Sequence, residues 1–81
     1  MRITRYTEYS LRVLLYLGLH QGRLCSIAEI AGAYRISESH LTKVVQSLGK
    51  QGFIDTLRGR NGGLRLARAP EAISLADVIR H

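Results

Sequence analysis

The sequence predicts a small domain, mainly α-helical with one β-hairpin, in the order of a winged helix-turn-helix. Three observations predict it. Two hydroxyl-capped segments with helical apolar spacing follow one another across a short turn. A glycine-rich basic segment flanked by strand-forming residues comes directly after them. The positive charge concentrates in that same part of the chain.

The length of 81 residues allows one core and excludes a two-domain reading. With 46% apolar and 22% charged residues, burial can offset the ordering entropy, which excludes intrinsic disorder. The longest apolar-dominated stretch, residues 9–19, is interrupted by Ser10, Arg12 and Gly18 and falls far short of the roughly 20 residues a bilayer requires. The first twenty residues lack the charged start, apolar middle and small-residue cleavage site of a signal peptide, and the lone Cys25 cannot form an internal disulfide. A cytoplasmic location is expected.

Residues 7–20 open the order of elements. Tyr9, Val13, Tyr16, Leu17 and Leu19, with Leu11, Leu14 and Leu15 between them, give a helix apolar on more than one face. One face suffices for a minimal core, so the surplus predicts packing on a partner subunit or a further helix. Ser26 and Glu29 then form a capping box, which starts a second helix at Ile27, and Cys25 with Ile30 has the spacing of a hydrophobic staple. Ile27, Ile30, Ala31 and Tyr34 share one side of it. Arg35 and Ile36 make the turn, with Arg35 at a position where such motifs often place Gly.

Ser37 caps the next helix, whose Leu41, Val44, Val45 and Leu48 recur at i, i+3, i+4 and i+7, with Gly49 or Gly52 as its end. Residues 53–58 and 64–67 read as two strands around the tip Gly59-Arg60-Asn61-Gly62-Gly63. Pro70 breaks the second strand, and Ser74 with Asp77 resembles one more cap. The winged helix-turn-helix is therefore expected over residues 1–73 and the start of a further helix over residues 74–81. That helix stops about two turns in, which predicts that the sequence is part of a longer protein.

The charge points to a partner. Twelve Lys and Arg against six Asp and Glu give +6, and residues 35–68 carry seven of the bases (Arg35, Lys43, Lys50, Arg58, Arg60, Arg65 and Arg68) against Glu38 and Asp55. Such an excess favours a polyanion. Recognition is expected from the helix over residues 37–51 and the wing over residues 58–65. On the helix, Ser37, Ser39, His40, Thr42, Lys43 and Gln46 are the candidates for reading double-stranded DNA. Ser and His exchange hydrogen bonds with base edges, Lys43 reaches guanine or phosphate, and Gln46 suits adenine. Read blandly, the same residues are a solvated helix face, and His40 a helper of the cap. Glu38 reads as a helix-dipole partner.

In the wing, Arg58, Arg60, Asn61 and Arg65 surround glycines that let the backbone approach a sugar-phosphate wall. An Arg entering a narrow A·T-rich minor groove would read shape more than letters. The segment is not a phosphate loop, since no Gly-Lys-Ser/Thr follows and a strand comes next.

Four stretches in order carry a resemblance: Arg2-Ile3-Thr4 through Tyr6-Thr7-Glu8-Tyr9-Ser10-Leu11-Arg12, Ser26-Ile27-Ala28-Glu29-Ile30-Ala31, Ser39-His40-Leu41-Thr42-Lys43-Val44-Val45, and Arg58-Gly59-Arg60-Asn61-Gly62-Gly63-Leu64-Arg65-Leu66. Together they resemble the NsrR/IscR-type family of bacterial winged-helix transcriptional repressors, above all its nitric-oxide-sensing NsrR branch. The resemblance implies a homodimer whose long C-terminal helix crosses to its partner. It also implies an iron-sulfur cluster (2Fe-2S or 4Fe-4S) held by three cysteines in a loop before that helix. Those cysteines would lie beyond His81, so no metal ligand set and no cofactor is expected in this chain. Cys25 lies outside that motif and reads as packing, or as a redox-active thiol near a helix N-terminus. Glu8 matches the position where the branch places an acidic residue near its cluster, an oxygen ligand in the full-length dimer. Its bland reading is a helix-dipole carboxylate.

An enzyme is not expected, because His20, His40 and His81 accompany no recognisable nucleophile and acid. The rival reading is a winged-helix module that binds protein or RNA, since a fold does not fix its partner.

Overall fold

The computed structural model describes residues 4–69 and Ile73. Within them the order is α1 (Arg5–Leu19), α2 (Ile27–Tyr34), α3 (Glu38–Lys50), β1 (Ile54–Leu57) and β2 (Gly63–Leu66). The helix expected over residues 74–81 lies outside the described residues.

Helix α1 starts earlier than its apolar periodicity indicates. Thr4 is the cap, its Oγ1 accepting the Thr7 N–H at 3.1 Å. Position N3 is Thr7, so the acidic signature of a capping box is absent and only the cap residue itself marks the start. Val13, Leu14 and Leu17 face the core. Ser10 is fully buried beside them, and its hydroxyl donates to the Tyr6 carbonyl at 2.8 Å, which satisfies it within the helix. Leu15 and Leu19 remain 57% and 71% exposed, the surplus apolar face expected of this helix.

The Ser26–Glu29 box forms as the sequence requires. The Glu29 N–H donates to Ser26 Oγ and the Ser26 N–H donates to Glu29 Oε1, both at 3.0 Å. Arg35 closes α2 in the left-handed region, φ 57° and ψ 46°, the conformation that Gly adopts at lower cost. The chain then reaches Ser37, whose Oγ accepts the His40 N–H at 3.2 Å and starts α3. Ile30, Ile36, Leu41 and Val44 are buried in the angle between α2 and α3, with Ala31 buried at the approach and Tyr34 half-buried at its edge.

Helix α3 buries Leu41, Val44, Val45 and Leu48, each at most 5% exposed. Its C-cap is Gln51, followed by Gly52 at φ 82°. Gly52 thus ends the helix, whereas Gly49 lies inside it. Phe53, 1% exposed, carries the chain into the hairpin, where β1 and β2 pair antiparallel from Ile54↔Leu66 to Leu57↔Gly63. Cys25 adds a bridge that no local pattern announces. Its N–H donates to the Leu64 carbonyl at 3.0 Å and its carbonyl accepts the Leu64 N–H at 2.7 Å. The loop before α2 is thereby stitched to the wing, and Cys25 itself is buried packing.

Candidate nucleic-acid interface

The outward side of α3 is the complement of its buried stripe. Ser37, Ser39, His40, Lys43 and Gln46 are exposed. Ser37 also serves the cap, and its hydroxyl lies 3.4 Å from Ser39 Oγ. His40 supplies only its backbone N–H to the cap, so its ring is left outward. Thr42 differs from the others: it is half-buried, and its hydroxyl donates to the Glu38 carbonyl at 2.7 Å. Its proton is turned back on its own helix.

At the wing, Arg58, Arg60 and Asn61 are all exposed. The tip is held by the Gly62 N–H donating to the Gly59 carbonyl at 3.0 Å. Gly62 is sterically required, since a Cβ there would fall on the Leu57 carbonyl oxygen. Arg65 is set apart in the hairpin stem, where its Nε lies 3.5 Å from Asp55 Oδ2, its cross-strand partner. It borders a cleft of about 480 Å³ that Arg23 and Arg68 also line, between the end of α1 and β2.

Ion pairing sorts the cations. Arg12 pairs with Glu8 at 2.7 Å, Arg23 with Glu29 at 2.8 Å and Arg65 with Asp55. Arg68 lies over the Phe53 ring at 4.9 Å and donates to the Gly52 carbonyl. Among the described residues, Arg5, Arg35, Lys43, Lys50, Arg58 and Arg60 have no carboxylate partner, and Glu38 is the acid without a cation. The uncompensated charge is therefore concentrated on the turn, α3 and the wing, with Arg5 at the start of α1.

The paired groups serve the scaffold. Glu29 accepts from both terminal guanidinium nitrogens of Arg23, at 2.9 and 2.8 Å, and from the Tyr16 hydroxyl at 2.8 Å. The Arg23 bonds, then the Ser26 N–H and the Tyr16 hydroxyl, pull its carboxyl down to about 2. Reciprocally, the bond to Glu29 raises the Tyr16 phenol and the Arg23 guanidinium. Burial raises the Cys25 thiol, which opposes the thiolate that a redox role needs.

One positioning cluster escaped the sequence reading. Tyr6 Oη donates to Ser47 Oγ at 2.6 Å, and Gln51 Nε2 donates to both hydroxyl oxygens, at 3.3 Å to Tyr6 and 3.0 Å to Ser47. It ties the first turn of α1 to the last turns of α3. Contacts across more than forty residues leave no local trace in a sequence, and Ser47 reads there as one more residue of the outward face.

The donor set does not fit a metal centre. Among the described residues no group of three His, Cys, Asp or Glu side chains is placed to hold an ion. Glu8 is exposed and engaged by Arg12, and Cys25 is buried and belongs to no such group. An iron-sulfur cluster cannot be held by these residues alone. No helix among them is long and apolar enough to cross a membrane.

A helix pair at a tight turn, braced by a third helix and followed by a hairpin, defines a winged helix-turn-helix protein. The comparisons narrow the class. The Rrf2 family, described as iron-dependent transcriptional regulators, matches residues 3–81, and the chain belongs to it. It is 52% identical over 82 residues to the HTH-type transcriptional regulator NsrR of Bacillus licheniformis, covering 100% of this chain and 57% of the relative. To NsrR of Bacillus subtilis it is 48% identical over 81 residues, 99% of this chain and 56% of the relative. The chain thus spans little more than half the length of these relatives. Among solved structures, CymR, the global cysteine regulator of B. subtilis, superposes with a TM-score of 0.94 at 31% identity, over 99% of this chain and 63% of that one. T. potens IscR gives 0.90 at 31% identity, over 99% and 59%.

Proposed function

We propose that this chain is the DNA-binding part of a bacterial transcriptional repressor that acts in the cytoplasm. In this reading α3 enters the major groove of duplex DNA with Ser39, His40 and Gln46 toward base edges and Lys43 toward guanine or a phosphate, and the wing lays Arg58, Arg60 and Asn61 on the flanking backbone and minor groove. Ser37 and Thr42 support the N-terminal end of the reading helix, and Arg65 contributes to the field from the hairpin stem. The observation that carries the proposal is the segregation of charge: the carboxylates of α1, α2 and the hairpin stem are matched by arginines, while the cations of α3 and the wing tip are unmatched. The NsrR and IscR relatives support the same reading.

In the whole protein we infer a homodimer on paired half-sites one or two helical turns apart. The resemblance to the nitric-oxide-sensing branch supports control by nitric oxide or by the status of an iron-sulfur cluster. Any such cluster would be held chiefly by ligands other than the residues described, with Glu8 as a contributor in the dimer. The domain reading over residues 1–73 is part of the same proposal.

Salt dependence tests the function. Duplex binding through n phosphates gives a log-log slope of about −0.9n, whereas a protein-binding module responds far less steeply. Arg60→Ala is expected to weaken binding most where the wing meets A·T-rich sequence, and His40→Ala to relax base preference. Equal losses on all sequences for both variants contradict the division of labour. Absence of retardation of random genomic duplex at low ionic strength overturns the proposal itself.

A further inference from the structure

We propose that the cleft between the first two turns of α1 and the outward side of α3 is a further DNA-backbone seat, taking a phosphate and its deoxyribose from the strand that borders the major groove. The inference rests on the reading of the chain as a duplex-DNA binder and adds a contact surface outside the reading helix and the wing.

The cleft holds about 270 Å³ and is lined by Arg5, Tyr6 and Tyr9 of α1 and by His40, Lys43 and Val44 of α3. Its first argument is continuity. His40 and Lys43 belong both to the row offered to base edges and to the rim of the cleft, so a strand lying along α3 passes over it. Its second argument is charge. Arg5 and Lys43 are exposed, neither makes an ion pair among the described residues, and no carboxylate lines the cleft. Guanidinium and ammonium on opposing walls suit one phosphate between them.

The floor supplies the rest. Tyr6 and Tyr9 are half-buried and Val44 is buried, which gives apolar surface for the sugar beneath a charged rim. The Tyr6 hydroxyl is engaged by Ser47 and Gln51, so the ring offers the cleft its carbon face. Those same bonds pin α1 to α3 and fix the width of the cleft before any ligand arrives, which lowers the ordering cost of contact. A volume under the roughly 300–1,000 Å³ of drug-sized pockets suits one nucleotide unit of a passing strand better than a free effector.

The test is fluorescence anisotropy of the full chain on random duplex from 50 to 200 mM salt, with wild type, Arg5→Ala, Arg5→Lys and Arg60→Ala in parallel and circular dichroism as the check on folding. Loss of one phosphate contact reduces the slope by about 0.9, so the affinity advantage of wild type over Arg5→Ala is expected to shrink about 3.5-fold across that range. Arg5→Lys retains the charge and is expected to keep the wild-type slope. If Arg5→Ala binds as wild type while Arg60→Ala is weakened, the seat is refuted and the DNA-binding reading stands. If wild type itself fails to bind duplex, that reading falls and the seat with it. Competition by a mononucleotide at millimolar concentration, equal in wild type and Arg60→Ala but lost in Arg5→Ala, would show a free-nucleotide site and overturn the assignment to a DNA strand.

Discussion

Replacing Gly62 with alanine puts the wing itself to the test. The added methyl would meet the Leu57 carbonyl oxygen and lie 2.9 Å from the carbonyl carbons of Leu57 and Arg58. All three are backbone atoms, so no side chain can swing aside and the tip must open. Opening it breaks the Gly62–Gly59 turn bond and disturbs the adjacent Leu57↔Gly63 pair. Overpacking of this kind costs about 1–3 kcal/mol. A domain of this size has roughly 4–12 kcal/mol in all, so the fold survives with its wing displaced. A loss of about 2 kcal/mol lowers the urea midpoint by about 1 M for an m-value of about 2 kcal/mol/M. Displacing Arg58 and Arg60 together removes up to two phosphate contacts and about 1.8 from the salt slope, so the wild-type advantage in affinity shrinks about twelvefold between 50 and 200 mM salt. Urea unfolding followed by circular dichroism and anisotropy titrations on duplex read the two effects. A Gly62→Ala protein with the wild-type midpoint and the wild-type slope would refute the steric reasoning and the role of the wing together.

Other substitutions probe the scaffold. Gly49 is exposed inside α3 with open space around its Cα, so Gly49→Ala is expected to stabilise by about 0.5–1 kcal/mol, seen as a higher Tm. Arg35→Gly relieves a left-handed non-glycine residue and is expected to gain about 0.5–1 kcal/mol after the added freedom of the unfolded chain is counted; a lower urea midpoint would show that the Arg35 side chain matters more than its backbone. Glu29→Gln removes a carboxylate whose folded value lies near 2 against an ordinary 4.5. Between those values the unfolded state binds more protons, so this group's contribution is complete above about 4.5 and fades as pH falls toward 2. The stability gap between wild type and Glu29→Gln is therefore expected to narrow over that window in acid titrations, and a gap constant with pH would contradict it.

Local chemistry made most of the fold legible. Ser26 with Glu29, Ser37 and the Leu41-to-Leu48 stripe marked two helices within a residue or two, because caps and periodicity act over single turns. The first strand appeared one residue too long at each end, at Phe53 and Arg58, and the second one residue late, over 64–67 against Gly63–Leu66, since strand preference does not say where pairing starts and stops. Thr4 was missed as a cap because no acid follows at the third position. The Cys25–Leu64 bridge and the Tyr6–Ser47–Gln51 cluster join residues about forty apart, and their necessity exists only once the chain has closed. At the site, the exposed positions of Ser39, His40, Lys43 and Gln46 followed from the stripe opposite them. The inward proton of Thr42 and the separation of Arg65 from the tip depend on rotamers and register that composition does not encode.

The sulfur at the root of the wing offers a clock for the opening of the protein around it. Cys25 is fully covered, and it sits on the short seam that joins the loop before α2 to Leu64. A thiol reagent can reach it only when the core around it opens, so its rate of alkylation is expected to count those openings, local or global. Bound DNA that clasps the hairpin would slow the clock, and a strained tip would speed it.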